Sequence, residues 1–389
     1  MEIKKEISQL EDELIRLRRD FHKHPELGLE EFRTAEKVSA YLEDLGLEVH
    51  RPTETGVVGL LKGDRQGPTL MMRADMDALP IQEANDVPYK SVQSGKMHAC
   101  GHDGHTAMLL IAAKVLARLK YSIKGAIKFL FQPNEEDLYA DVLVEKGVLD
   151  NPHVDAAVGI HLMSSLPTGT IGISSGAVMA GMHVFRLTVT GKGGHTGFPQ
   201  DSIDPILTSA SIIQAVQAVQ TRESDIFNPT LIIFGKITGG SVYNAIAGKV
   251  EMEGTIRYLY DFGSNPTLSP IDKFERHIKH ICDAYRANYK LDILYSHPAV
   301  VNDEDMTSLV AEAAKETVEA KNIVPFITMI GEDFCHFANR VPSAFYFVGT
   351  GNPKKKTDYP HHHACFDLDE DALTIGVETN VRAALSFLR

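Results

Sequence analysis

The residues of this chain that could do chemistry gather in four short segments. MHACGHDGH (97–105) places His98, Cys100, His102, Asp103 and His105 within eight residues, just ahead of a helical pattern. QPNEE carries Glu135 and Glu136 side by side, GIHL carries His161, and PHHHACFD carries His361, His362 and His363. Thiolate, imidazole and carboxylate together form a donor set of intermediate softness, suited to Zn, Mn, Co or Fe. A structural zinc site is closed by four ligands, typically Cys-rich and in paired spacings. One Cys among dispersed His and Glu instead suits an open catalytic site, with ligands enough for two metals. Adjacent glutamates fit such a site, because one can ligate while its uncoordinated neighbour takes the proton from the attacking water. Each segment alone has an ordinary reading: a structural His, a solvated acidic loop, a surface His run. Their coincidence is what points to a centre.

For the segments to converge, strands must deliver them. TLMMRAD (69–75), AIKFLFQ (126–132), DAAVGIHL (155–162) and SAFYFVG (343–349) are nearly continuous apolar runs, the pattern of strands buried on both faces. HTAMLLIAAKVLARL (105–119) reads as a helix packed beside them, and Ile3, Ile7, Leu10, Leu14 and Leu17 predict an amphipathic helix over 3–20. Strands alternating with helices predict an α/β domain around a mostly parallel sheet, whose sites form at the carboxyl ends of the strands. Each of the four segments is placed at or just past such an end.

The middle of the chain has another texture. Phe185, Leu187 and Val189 alternate with Arg186, Thr188 and Thr190, and Val250, Met252 and Ile256 alternate with Lys249, Glu251, Glu253 and Arg257. That period of two marks strands with one wet face. A helix at about 203–220, a strand at 230–237, a helix at about 270–288 and a strand at 290–295 complete a β-α-β-β-α-β order, the ferredoxin-like one. The expected organisation is a catalytic domain formed by 1–179 and 295–389, with an inserted α+β lid or dimerisation domain at 180–294.

The composition excludes several classes. The 389 residues suffice for two to three domains at about 150 residues each. With 39 Lys plus Arg against 52 Asp plus Glu, the net charge is −13; a binder of phosphate backbone needs the opposite balance, so nucleic acid is not an expected partner. No apolar run is long enough for a membrane span. The opening MEIKKEISQLEDELIRLRRDFHKHPE is charged throughout and carries no export signal, so the expected location is the cytoplasm. Cys100, Cys282, Cys335 and Cys365 lie far apart without pattern, which suits a reducing compartment and leaves Cys100 open to a role as metal ligand. GISSG (172–176) matches G-x-S-x-G, but lacks the buried strand before and the helix after that a nucleophile elbow needs. GKGGHTG (191–197) misses the spacing of a dinucleotide loop and sits in no βαβ unit.

Taken together, the motifs resemble a known family. LRRDFHKHPELGLEE (17–31), RADMDALPI (73–81), MHACGHDGH, FQPNEE (131–136), GKGGH (191–195), GTIR (254–257), GEDF (331–334) and HHHACFDLDE (361–370) occur in the order found in the metal-dependent amidohydrolases. These include indole-3-acetyl-amino acid hydrolases, hippurate hydrolases and N-acetyl-diaminopimelate deacetylases, within the aminoacylase and carboxypeptidase group. The resemblance spans essentially the whole chain. It implies that Cys100, His102, Glu136, His161 and His362 ligate two divalent metal ions (Zn, Mn or Co) and that Glu135 is the general base. His195 matches a histidine that reaches from the inserted domain of one subunit into the partner's site, which implies a homodimer or higher homo-oligomer. The glycines of GKGGH suit a tight turn that would project it. Asn244 and Arg257 match substrate-binding positions. His362 is chosen within the triple His because Phe366 follows four residues on. Asp75 stands where the wider group has a His ligand, and is not expected to ligate.

The implied activity is hydrolysis of the amide of an N-acyl amino acid by a metal-activated water. The alternatives are a dipeptidase or aminopeptidase on the same scaffold, or a non-catalytic metal-containing binding protein, against which the unligated Glu135 argues. DLYADVL (137–143), Thr-Gly-Phe-Pro-Gln (196–200) and Ala245-Ile246-Ala247 depart from the family pattern, and these segments bear on substrate choice rather than on the metal ligands.

Overall fold

The computed structural model describes residues 3–263, 265, 267 and 269–389. It divides into two compact units: Met1–Val178 with Val301–Ile327 and Asp333–Arg389, and Met179–Val300 with Thr328–Glu332.

The first unit is built on an eight-stranded sheet. Its order is Glu48–His50, Val57–Lys62, Lys124–Gln132, Arg65–Asp75, Ala156–Pro167, Ser343–Gly351, Ile171–Gly172 and Ile323–Val324. The four central strands run parallel, and antiparallel pairings join the flanking strands to this centre. The apolar runs end up where their lack of alternation puts them. Every residue of Ser343–Gly351 is buried, as are the last seven of Lys124–Gln132 and of Arg65–Asp75. Against them packs the helix His102–Arg118, with 14 of its 17 residues buried. Leu70, Met72, Phe129, Phe131, Val158, Tyr346, Leu109 and Val377 belong to the resulting core. Complete burial of such side chains gives about 1.5–3 kcal/mol each against exposure, so this layer dominates the unit's stability.

Some boundaries differ from the sequence expectation. The helix over 3–20 is two helices, Ile3–Gln9 and Glu11–Lys23, broken at Leu10, whose ψ is 0. The strand expected to stop at 162 continues to Pro167, because Gly349 and Gly351 keep pairing with Met163 and Pro167. His161 therefore lies within its strand, opposite Phe347, and not beyond the strand's end. Ser174 of GISSG follows a two-residue strand, with no helix after it. Its Oγ accepts the Phe326 N–H at 3.0 Å, so it is not a nucleophile elbow.

The second unit holds the period-two strands. Its antiparallel sheet has the order Thr230–Gly239, Lys249–Tyr258, Gly181–Thr190, Asn288–His297, with helices Pro205–Ala215 and Pro270–Tyr285. By position in the chain this order is 2-3-1-4, that of a ferredoxin-like unit. Phe185, Leu187, Val189, Val250, Met252 and Ile256 form its core with Phe274 and Ile278. Their partners in the alternation stay in contact with water, as on Lys249–Tyr258, where Lys249 and Glu251 are exposed. Asp204 and Ser269 cap the two helices through their side chains.

Candidate metal centre

Three central strands of the first unit bring the donors together. Arg65–Asp75 ends on Asp75 and leads to Asp77, Lys124–Gln132 leads to Glu135 and Glu136, and Ala156–Pro167 carries His161. The helix His102–Arg118 starts at His102, behind Gly101 in the left-handed conformation at φ 95°. A side chain is disfavoured at that φ, and the turn lets Cys100 and His102 face one centre. His362 is also left-handed, at φ 64°, with its N–H bonded to the Ala99 carbonyl at 2.8 Å.

Of the donor sets that result, two contain Cys100. Cys100, His102 and His161 form one, and Cys100, Glu136 and His362 form the other, with the donor atoms of each set within 4.8 Å of one another. Cys100 Sγ lies 3.6 Å from His161 Nε2. His362 Nε2 lies 3.4 Å from Glu136 Oε1, and His102 Nε2 4.0 Å from Glu136 Oε1 and from Glu135 Oε2. Glu135 belongs to neither of these two sets but joins His102 and Glu136 in a third.

The surrounding hydrogen bonds fix which nitrogen is offered. His102 Nδ1 bonds the Asp77 carbonyl at 3.0 Å and Asp77 Oδ1 at 3.2 Å, and His161 Nδ1 bonds the Leu162 carbonyl at 2.7 Å. Both acceptors take Nδ1–H, which leaves Nε2 as the nitrogen facing the other donors, the atom a ligating histidine offers. Asp77 also accepts the Glu136 N–H at 3.0 Å, which ties two of the donors to one carboxylate. His105 and Asp75 lie close by but are committed elsewhere. His105 Nδ1 meets Asp75 Oδ1 at 2.6 Å and its Nε2 accepts the Leu162 N–H, while Asp75 Oδ2 takes Arg73 Nη1 at 2.7 Å. His361 Nε2 bonds the Leu162 carbonyl at 2.9 Å, and His363 Nδ1 accepts the Cys365 N–H. Of the triple His, His362 is the one beside Glu136.

The residues fit a cation. His102 Nε2 and Glu136 Oε1 are buried without a hydrogen-bond partner among the described residues, although buried polar atoms are seldom left so. The electrostatics point the same way. Burial works against a charge on His102, yet Asp75 and Asp77 outweigh it and push the imidazole up to about 10. Burial together with Glu136 and Glu135 pushes the Cys100 thiol well up, and burial together with His105 and His361 pushes His161 well down. The carboxylates exceed the positive charge that the chain itself supplies, and His161 offers a neutral ring.

His195, Asn244 and Arg257 belong to the second unit. A short antiparallel pair, Gly194–His195 with Ala245–Ile246, puts His195 next to the 244 turn, where the Asn244 carbonyl accepts the Thr196 hydroxyl at 3.2 Å. His195 is exposed, and its Nδ1 accepts the Gly197 N–H at 2.9 Å. The glycines of GKGGH do not form the tight turn expected of them, since none has a positive φ. They allow close approach instead: a Cβ on Gly191 would lie 2.1 Å from the Ile203 carbonyl oxygen, and one on Gly194 2.1 Å from Ser202 Oγ. Arg257 is half-buried and Nη1 donates to the Met329 carbonyl at 2.9 Å. Glu253, on the same strand, is bound by Arg186 at 2.9 Å and Lys236 at 3.4 Å.

Several supporting residues had no assigned role in the sequence. Asp77 lies in RADMDALPI, two residues after Asp75. Arg18, His22, Glu31, Arg73 and Asp333 lay inside motifs, but nothing in their spacing says which distant backbone or side chain each one holds.

Residues 71–386 match the model of peptidase family M20/M25/M40. The thermostable carboxypeptidase 2 of Saccharolobus solfataricus is 37% identical over 392 residues, covering 99% of this chain and 98% of that protein. The N-acetyl-L-cysteine deacetylase of Bacillus subtilis is 37% identical over 370 residues, covering 94% and 86%. Among solved structures, the Bacillus subtilis YXEP protein, a dinuclear metal binding peptidase from the M20 family, superposes with a TM-score of 0.84 at 32% identity over 98% of this chain and 99% of its own.

Proposed function

This chain belongs to peptidase family M20/M25/M40 and is a metal-dependent hydrolase of amide bonds; we propose that it cleaves N-acyl amino acids with Glu135 as the base. Cys100, His102, Glu136, His161 and His362 would hold two divalent metal ions. The observation that carries the assignment is the difference between the adjacent glutamates. Both group with His102, but Glu136 also groups with Cys100 and His362 and has its N–H anchored on Asp77, whereas Glu135 is in no set with Cys100.

When bound, divalent metals polarise the amide carbonyl and acidify water. Glu135 takes the proton of the attacking water and returns it to the leaving amine, so that one carboxylate serves both halves of the reaction. His195 donates to the developing oxyanion. The substrate's carboxylate needs a paired donor, which Arg257 offers as a planar fork, with Asn244 adding an amide. The related deacetylase and carboxypeptidase support this choice of substrate. An N-acetylated amino acid and the carboxyl end of a peptide both present an acylated nitrogen beside a free carboxylate.

We also infer that the chain works as a homodimer, in which His195 of one protomer serves its partner's centre. A reducing, cytoplasmic setting suits its four free thiols. The test is turnover of N-acetyl, N-benzoyl and N-indoleacetyl amino acids and of dipeptides by metal-loaded protein, with free amine as the readout. The N-acyl amino acids should be cleaved best, and Glu135→Gln should lose about 10²–10⁴-fold in kcat while keeping its metal. Preference for dipeptides with a free amine would move the assignment to a dipeptidase. Metal loss in Glu135→Gln but not in Glu136→Gln would exchange the two glutamates.

A further inference from the structure

The segment that carries the two glutamates has almost no regular structure of its own. Asn134 and Leu138 are left-handed, at φ 54° and 67°, and the next helix, Ala140–Glu145, has six residues. Its shape is imposed from outside by three buried carboxylates. Glu31 accepts the Asn134 N–H at 2.8 Å, and Asp77 accepts the Glu136 N–H at 3.0 Å. Asp333 Oδ2 accepts the N–H groups of Tyr139 at 2.8 Å and Ala140 at 2.9 Å. Within the segment, the Leu138 N–H closes a turn onto the Glu135 carbonyl at 2.8 Å.

Asp333 is itself fixed. Its Oδ1 takes Arg73 Nη2 at 3.0 Å, and Gln132 Nε2 donates to both of its oxygens at 2.8 and 2.7 Å. Gln132 Oε1 in turn accepts Arg73 Nε at 2.9 Å, which closes a ring of three side chains, each 1% exposed or less. Arg73 extends the ring to Asp75, so Asp333 is referenced to the same strand end as the donors around His102.

We propose that Asp333 is a positioning residue that places Glu135 independently of Glu136. The two glutamates are adjacent, yet their backbones are tied to different anchors. Glu136 is held by Asp77, which also orients His102. Glu135 is held upstream through Asn134, and downstream through the Leu138 turn and the two N–H groups on Asp333. Removing the Asp333 anchor therefore loosens the base and leaves the ligand in place.

The proposal rests on Glu135 being the base, and its test separates the two. Asp333→Asn turns half of the acceptor into a donor facing Tyr139 and Ala140. Misplacement of a reacting group by about 1 Å can lower the rate ~10²-fold. The expected result is a 10- to 100-fold fall in kcat, KM within about twofold, and an unchanged metal content. Amide hydrogen exchange should accelerate at Tyr139 and Ala140 but not at Glu136. Asp333→Glu keeps the charge for Arg73 and changes only the reach; it should show the same pattern and serves as the test if the Asn variant does not fold. Wild-type kcat in a folded variant with accelerated exchange, or metal loss in parallel with activity, overturns the proposal. Activity retained in Glu135→Gln would instead overturn the assignment of the base.

Discussion

Replacing Glu31 by Gln should remove a pH dependence that this carboxyl imposes on the metal-free protein. Glu31 is 0% exposed, with one oxygen on the Asn134 N–H at 2.8 Å. Burial, reinforced by the charge of Asp77, raises its carboxyl from 4.5 to about 7. Between those values the native state keeps a proton that the unfolded chain releases. The free energy of unfolding therefore falls as pH rises through this window, with the full contribution present below pH 4.5 and lost above 7. The interval from 4.5 to about 7, at roughly 1.36 kcal/mol per unit, corresponds to about 3 kcal/mol. Gln keeps an acceptor for the Asn134 N–H and cannot ionise. Urea unfolding followed by circular dichroism, in chelator at pH 4.5 to 8, should show the variant gaining on wild type by about 3 kcal/mol across the range. The gap should shrink when divalent metal is added, because cations near Asp77 favour the carboxylate. Parallel curves for the two proteins at every pH would show that Glu31 is ionised throughout, and would refute the reasoning.

Cys100→Ser should lower the metal content of protein freed of excess ion from about two equivalents, because Cys100 belongs to both donor sets and a hydroxyl is a poor replacement for a thiolate. Elemental analysis reads this directly, and full retention would remove Cys100 from the ligands. Mixing inactive His195→Ala and Glu135→Gln chains and letting subunits exchange should restore part of the activity, since one mixed site in each dimer regains both groups. No recovery after demonstrated exchange would mean that each chain completes its own centre.

The layers that position the centre were legible because burial writes itself into hydrophobic period. Lys124–Gln132 and Ser343–Gly351 lack alternation, since helices or loops cover both faces, and Lys249–Tyr258 alternates because one face is wet. Ends were harder to place. Leu10 continues the apolar spacing of its helix, yet its backbone turns there, and nothing in the side-chain pattern records the break. The strand through His161 passes residue 162, where its expected run stops, because pairing to Gly349 and Gly351 outweighs local preference. At the centre, residue type announced Cys100, His102, Glu135, Glu136 and His161. Among His361, His362 and His363, the spacing to Phe366 points to His362, and the fold commits His361 to the Leu162 carbonyl and His363 to the Cys365 N–H.

The N-terminal motif illustrates what sequence alone withholds. Arg18 and His22 sit one turn apart on Glu11–Lys23, far from any donor in the chain, and read as the charged face of an amphipathic helix. Both are in fact 0% exposed. Arg18 Nε bonds Asp103 at 2.8 Å and Nη2 bonds Asp367 at 2.6 Å, while His22 joins Asp103 at 2.8 Å to Glu83 at 3.2 Å. Asp103 follows His102, and Asp367 closes the loop that carries His362. One buried guanidinium thus ties together, through their carboxylates, two donor segments that lie more than 250 residues apart in the chain. A buried ion pair of this kind contributes little net stability against an apolar replacement, but breaking it leaves an uncompensated charge and costs about 3–5 kcal/mol. Such a pair tolerates few local rearrangements. The ligands are the residues that chemistry makes recognisable, and the groups that aim them are ordinary charges whose function exists only in the fold.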